Sequence, residues 1–239
     1  MATYTDTDDA RGNITSVMQE YLAEIYRIAA YQDSAYVSTS VLAARMNKTA
    51  PAIVRMASRL KEARLIEHEL YQGITLTPEG EHQALLAIRR HRILEVFLVK
   101  VMGLGWHEVH DECDRMGEIS DKLMARMEEM AGCPRRCPHG EPIPSAKGLM
   151  PLVKDMNLTD LDPVQEMTVS RVHTHEPEKL LYLKEINLIP GQEITLLNRA
   201  PFNGPLRLKI GRNEQVIGIE LAGAIRVCAR GDFELKSPA

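Results

Sequence analysis

Apolar positions at Ile14, Val17, Tyr21, Ile25 and Ile28 recur at steps of three and four, which predicts an amphipathic helix beginning near Thr15. Ser38-Thr39-Ser40 offers an N-terminal cap for a second helix running to Met46. Asn47-Lys48-Thr49 predicts a tight turn, and Pro51 suits the first turn of a third helix, where its missing N–H costs nothing. That helix runs to about Ala63, with Ile53, Met56, Ala57 and Leu60 inward. Leu65-Ile66 and Ile74-Thr75-Leu76 flank Tyr71-Gln72-Gly73, the pattern of a small hairpin. Thr77-Pro78-Glu79-Gly80 then caps a long helix that carries Arg89, Arg90 and His91. After the turn Gly103-Leu104-Gly105, a second long helix is expected through Glu118 and on to Met130. Its surplus of apolar positions suggests a helix–helix dimer interface. Gly132 to Pro144 breaks all helix, and residues 145–163 read as a linker. Beyond it the period falls to two. Met167–Val172, Glu193–Leu197, Pro205–Ile210, Glu214–Ile219 and Ala224–Val227 read as short strands, with a helix over Lys179–Ile186, and suggest a small β-barrel of the SH3 kind.

The expected fold is mainly α with a β-barrel. A winged helix-turn-helix occupies residues 14–80, a helical dimerisation domain 81–144, a linker 145–163 and an SH3-like domain 164–235, behind a polar tail at residues 1–13. Hydrophobic residues at 44% and charged residues at 26% are ordinary for a globular chain of 239 residues. The net charge of −4 gives no global sign of nucleic-acid binding, so any DNA contact must come from a local patch. One exists. Between residues 45 and 64 stand Arg45, Lys48, Arg55, Arg59, Lys61 and Arg64, opposed only by Glu62. With turn, cap, basic face and wing in the right order, Lys48, Thr49, Pro51, Ala52, Arg55 and Arg59 are the expected DNA-contacting residues. Lysine and arginine would neutralise phosphates, Arg55 reach a guanine edge, and Pro51 and Ala52 touch thymine methyls. No apolar run approaches the length of a membrane span, the amino terminus lacks a signal-peptide core, and four cysteines are too sparse for a disulfide framework. The expected setting is the cytoplasm, with no membrane partner.

The candidate chemistry lies between His91 and Glu118. His91 and Glu95 are one helical step of four apart, and His110, Asp114 and Glu118 repeat that step on the next helix. Two such columns packed together make a nitrogen-and-oxygen cage for a divalent ion; the plainer alternative is a solvated helix face with a few His–Glu contacts. Cys133, Cys137 and His139 lack a fourth ligand at zinc spacing, and the prolines among them predict a rigid turn instead. A metallohydrolase built on the same cage is the competing class. Against it, the chain shows no obvious nucleophile–base pair and no glycine-rich phosphate loop.

The order of parts resembles the diphtheria toxin repressor family of iron- and manganese-dependent transcriptional regulators over roughly residues 15 to 230. The resemblance rests on Glu20-Tyr-Leu-Ala-Glu-Ile-Tyr26, Leu76-Thr-Pro-Glu-Gly80, His91-Arg-Ile-Leu-Glu95, Val109-His-Asp-Glu112 and Cys137-Pro-His-Gly-Glu-Pro-Ile-Pro144. It extends to Leu188-Ile-Pro-Gly191 and Ala200-Pro-Phe-Asn-Gly204, which look like the SH3-like domain shared with FeoA proteins. It implies a homodimeric repressor of metal-uptake genes, not an enzyme, that binds operator DNA when loaded with metal. One metal position would use His91, Glu95 and His110, joined by a carboxylate from the SH3-like domain, Glu176 or its neighbour Glu178. The other would use Glu20 with residues of the later helix. Counting from His110 puts Asp114, Gly117 and Glu118 in the family's ligand places; counting back from Ser120 puts Cys113 in one. The first register preserves the helical column. Glu20 and Asp114 stand where iron-type members carry sulfur, so the implied ion is Mn2+, with Fe2+ the alternative. A winged-helix regulator whose metal sites are vestigial is the third reading.

Overall fold

The structure, a computed structural model, describes residues 14–69 and 71–235; the expected tail at residues 1–13 lies outside them. The chain divides into two compact units, one running through Arg89 and including Ala146–Leu149, the other holding Arg90–Ser145 and the chain from Met150 onward.

The first unit opens with α1 (Ser16–Ala29), capped by the Thr15 side chain, which accepts the Met18 N–H. Ser38 caps α2 (Thr39–Arg45) by accepting from Val41, and α3 (Ala50–Glu62) begins on Thr49 with proline in its first turn. Strands β1 (Ile66–Glu69) and β2 (Gly73–Leu76) form the antiparallel wing, and Val37 bridges to Ile74 on its flank. Gly73 sits at φ +123°, and a Cβ there would lie 2.5 Å from the Val37 carbonyl oxygen, so only glycine lets that bridge close. One core joins Leu22 and Ile25 of α1, Leu42 of α2, Ile53 and Leu60 of α3, and Ile74 of the wing. Each is essentially sealed from water, worth about 1.5–3 kcal/mol apiece relative to exposure. The apolar step of three and four therefore sets which face of α3 is buried, and leaves the basic face outside. Thr77 starts α4 (Pro78–Lys100): its hydroxyl accepts from the Gly80 N–H and donates to the Arg64 carbonyl.

In the second unit, the part of α4 from Arg90 onward packs with α5 (Val109–Arg115) and α6 (Asp121–Met130). The expected single helix through Glu118 to Met130 is therefore two helices. Met116 turns extended at ψ 112°, Gly117 gives the helix nothing to hold, and the Ser120 hydroxyl recaps the chain by accepting from Leu123. Arg90 holds the break by donating to the Ile119 carbonyl and the Asp121 carboxylate.

The carboxyl-terminal part is a six-stranded sheet of order β3-β8-β4-β5-β6-β7, with all neighbours antiparallel: β3 (Met156–Asn157), β4 (Glu166–Val172), β5 (Glu193–Arg199), β6 (Leu206–Ile210), β7 (Asn213–Ile217) and β8 (Ile225–Cys228). Helix α7 (Pro177–Glu185) follows β4, and the short α8 (Ile219–Gly223) takes the place of the expected end of the fourth strand. Strand β3 forms inside the stretch read as linker. Among the described residues no ladder joins β3 to β7, so the pairing defines a sheet with two edges. Alternate residues Ile194, Leu196, Leu206, Leu208 and Ile210 fill its core together with Trp106 from the α4–α5 connection.

The segment Cys133 to Pro144 is free of helix, as its prolines predict, and it is clasped to β4. The Val172 N–H donates to the His139 carbonyl at 2.8 Å. Gly140, at φ +85°, lies so close to β4 that a Cβ would meet the Ser170 carbonyl oxygen at 2.2 Å. Glu141, buried, receives Arg92 of α4 and Arg171 of β4, each at 3.2 Å. Asp155 receives Arg171 and Arg226 at 2.7 and 2.6 Å. These clamps tie the turn, α4 and the sheet into the one unit.

Candidate metal centre and nucleic-acid interface

The apolar stripe of α4 that packs against α5 and α6 carries a carboxylate into the interior. Glu95 is 1% exposed, among Ile93, Leu94, Val96 and Leu98. Its Oε1 lies 2.9 Å from His110 Nδ1 and 3.1 Å from His91 Nε2, and those two nitrogens are 3.4 Å apart. Its other oxygen, Oε2, faces His139 Nδ1 at 3.8 Å and has no hydrogen-bond partner. Cys137 Sγ is 3.9 Å from that same nitrogen. Two ligand sets thus share one carboxylate: His91, Glu95 and His110, and Glu95, Cys137 and His139. The imidazoles are layered, His110 against His139 at 4.5 Å and His139 against Trp106 at 5.4 Å between ring centres.

The electrostatics say what belongs there. Burial alone would push the Glu95 carboxyl up, yet the contacts with His110, His139 and His91 outweigh it and hold the group well below the usual carboxylate range. Glu95 is therefore an anion, and an anion only accepts. His139 Nε2 lies 2.8 Å from the Trp106 carbonyl, also an acceptor, so its hydrogen belongs on that nitrogen. The remaining nitrogen, Nδ1, faces the Glu95 carboxylate across a buried gap, and either a proton on that nitrogen or a bound cation must lie between the two. An imidazole that donates one nitrogen to a backbone carbonyl and offers the other is arranged as metal ligands are. His110 Nε2, buried without a partner, is a further orphan in the same place. The residues present fit a divalent ion. Burial pushes the thiol of Cys137 well up, with Glu95 adding to it, a bias that a neighbouring cation would oppose.

The sequence-expected residues divide accordingly. His91, Glu95 and His110 come together. Asp114 is exposed on α5 and outside both sets, and Glu118 is exposed in the break after α5, off any helical column with His110. Cys113, from the alternative register, is buried among Leu94, Leu98, Val109 and Met127 as a packing residue. Glu20 is exposed on α1, in the other unit. Glu176 is the N-cap of α7, its carboxylate 2.8 Å from Lys179, and Glu178 is exposed in the first turn. Neither of these carboxylates belongs to a ligand set; the residue that reaches the centre from this loop is His175, whose ring lies 3.9 Å from that of His110. Sequence reasoning missed Cys137, His139 and His175. The Cys-Pro-His triple was visible, but its partner Glu95 comes from a distant helix, and no local spacing signals that.

On the first unit, α3 buries Ile53, Met56, Ala57 and Leu60 and exposes Arg55 and Arg59. Lys48, Thr49 and Pro51 are exposed at its amino-terminal end, with Ala52 half-buried. Arg45, counted in the basic patch, instead pairs with Glu24 at 2.9 Å. What remains exposed is Lys48 ahead of α3, with Arg55 and Arg59 along the outer face of the helix.

A winged helix with a basic outer face, a helical segment holding a buried carboxylate–imidazole centre, and a carboxyl-terminal sheet define a DNA-binding regulator with a metal centre. Residues 13–74 match the iron dependent repressor N-terminal DNA binding domain, residues 77–145 the iron dependent repressor metal binding and dimerisation domain, and residues 156–228 the FeoA domain. The chain is 25% identical over 231 residues to the diphtheria toxin repressor of Corynebacterium efficiens, covering 90% of this chain and 96% of that protein. It is 25% identical over 228 residues to the iron-dependent repressor IdeR of Mycobacterium tuberculosis, covering 90% and 97%. Among solved structures, a manganese-dependent transcriptional repressor in complex with manganese superposes with a TM-score of 0.82 at 34% identity, over 88% of this chain and 99% of that one. ScaR with bound Cd2+ superposes with a TM-score of 0.73 at 25% identity, over 89% and 99%. The chain belongs to the iron-dependent repressor family, the diphtheria toxin repressor family that the sequence motifs resemble. That is a family of DNA-binding repressors, which sets the hydrolase alternative aside. No described helix is long and apolar enough to cross a membrane.

Proposed function

We propose that this protein is a homodimeric repressor whose binding to an operator upstream of metal-uptake genes requires a divalent ion, manganese by the sequence argument with iron(II) the alternative. The observation that carries the reading is the buried Glu95 carboxylate with imidazole nitrogens gathered on both its oxygens. When bound, the ion supplies the positive charge that lets Glu95, His91, His110 and the Cys137–His139 pair approach without protons. Glu95 anchors both sets from α4, His110 adds α5, and His139 adds the turn clasped to β4. Holding these elements in one arrangement is how the centre would bias the regulator toward the form that binds DNA, and DNA would tighten metal by the same coupling. By resemblance, Glu20 and Asp114 belong to a further, oxygen-rich ligand set. Arg55 addresses a base edge, with Pro51 and Ala52 beside it. Lys48 and Arg59 neutralise phosphate, and Thr49 meets the backbone at the start of α3. The FeoA-type sheet is read as an SH3-like barrel.

The test is a mobility-shift assay on DNA from upstream of neighbouring transporter genes, run anaerobically across a series of divalent ions. Retardation should appear with metal and vanish with chelator. Equal retardation in both conditions overturns the sensor reading, and stronger activation by iron than by manganese removes the manganese preference.

A further inference from the structure

The centre formed by His91, Glu95 and His110 has one open side, and a residue from the sheet part of the unit stands over it. Exposure of the side chains grades outward: 2% for Glu95, 4% for His139, 15% for His110 and 24% for His91. His175 is exposed, and its ring covers His110 at 3.9 Å between centres with the planes 14° apart. Its place is set by backbone. Val172, three residues earlier, donates to the His139 carbonyl; His173 donates to the Ala224 carbonyl at 2.6 Å; Thr174 accepts the Glu176 N–H at 3.2 Å. The β4–α7 connection therefore delivers residue 175, and not 176, to the centre. The Glu176 carboxylate points to Lys179, which a second carboxylate, Glu220, holds at 2.9 Å.

Geometry and chemistry agree on what an imidazole does there. Two nitrogens bound at about 2.1 Å to one tetrahedral ion lie roughly 3.4 Å apart. The 3.9 Å between the centres of the nearly parallel His110 and His175 rings is close to that spacing. Nitrogen in place of a carboxylate oxygen removes a negative charge and a hard donor. The centre then holds Glu95 as its one carboxylate among the imidazoles of His91, His110 and His175, a donor set that suits later first-row ions better than manganese.

We infer that His175 is the closing ligand of the His91–Glu95–His110 centre, and that it makes this centre prefer cobalt(II) or zinc to manganese. The inference rests on the metal-centre reading above. It places any manganese preference of the whole protein in its oxygen-rich residues rather than here.

The experiment is competition titration of the full chain with Co2+, Zn2+ and Mn2+, paired with the visible spectrum of the Co2+ form. Wild type is compared with His175→Ala, His175→Glu and His91→Ala. Because His175 is exposed, its replacement leaves no cavity, and thermal melting of the metal-free proteins checks the fold. His175→Ala should weaken Co2+ and Zn2+ by about tenfold or more, shift the Co2+ spectrum, and change Mn2+ by less than about threefold. His175→Glu should raise the Mn2+ to Zn2+ affinity ratio above that of wild type. An unchanged Co2+ affinity and spectrum in His175→Ala, with both lost in His91→Ala, overturns the assignment of His175 alone. A Co2+ spectrum insensitive to both changes overturns the metal centre itself.

Discussion

Replacing Glu95 by glutamine keeps the side-chain volume and removes one charge at the point where both ligand sets meet. Two unit charges 4 Å apart interact by about 4 kcal/mol at an effective dielectric near 20. A divalent ion doubles that, and the glutamine carbonyl, still a donor oxygen, recovers part of it. The net loss is about 4 kcal/mol, or roughly a thousandfold in metal affinity. Calorimetric melting converts this into a temperature. With free metal at about one hundred times the wild-type Kd, the folded state gains about 2.7 kcal/mol. For a chain of this size that raises Tm by about 5–10 °C. Under the same conditions Glu95→Gln would stand at about one-tenth of its own Kd and gain under about 0.1 kcal/mol, a rise too small to separate from zero. The metal-free variant should still melt cooperatively, since no cavity opens. A Glu95→Gln protein whose Tm rises with metal as far as wild type would refute the reasoning, because the anion would then not be what holds the ion.

Arg55→Ala should cost about 1–3 kcal/mol on the operator and relax discrimination at one base pair, whereas Arg59→Ala should weaken all sequences alike and lower the salt dependence by about one ion, both read by mobility shift across a salt series. Asp155, 1% exposed, is pushed up by burial but pulled further down by Arg171 and Arg226, so its folded-state pKa is below the ordinary carboxylate value. The stabilisation it contributes is complete above that ordinary value and is lost as pH falls through the lower, native one. Asp155→Asn should therefore lose about 2–3 kcal/mol near neutral pH, less than a fully buried pair because both guanidiniums are partly wet, and should show a shallower acid limb in denaturation. Gly140→Ala puts a Cβ into β4 at a left-handed backbone position and should lower stability by about 2–4 kcal/mol while loosening His139, seen as a loss of metal-induced stabilisation larger than the fold change alone explains.

Most of the architecture could be read along the chain because its causes are local. The caps at Ser38 and Thr77 and the proline that opens α3 all act within four residues, and each formed as its spacing predicts. The alternation of Ile194, Leu196, Leu206, Leu208 and Ile210 sets which face of the sheet is buried. The misreading of α5 and α6 as one helix has an equally local origin. The apolar positions continue in helical phase across Gly117, so periodicity alone cannot see that Ser120 and Arg90 hold the chain open there.

The candidate site divides along the same line. His91 and Glu95 were legible because they stand one helical step apart, and His110 because it opens the next column. The sequence by itself determines that α4 carries a carboxylate and an imidazole on one side, and that α3 keeps arginines opposite its apolar stripe. Only the tertiary structure decides that Glu95 is buried among three imidazoles, that His139 arrives from a turn clasped to β4, and that His175 rather than Glu176 stands over His110. Those outcomes depend on backbone hydrogen bonds and buried ion pairs between segments far apart in the chain. Spacing along a helix specifies neighbours on that helix; which distant side chain meets them is set by how helix, turn and sheet pack.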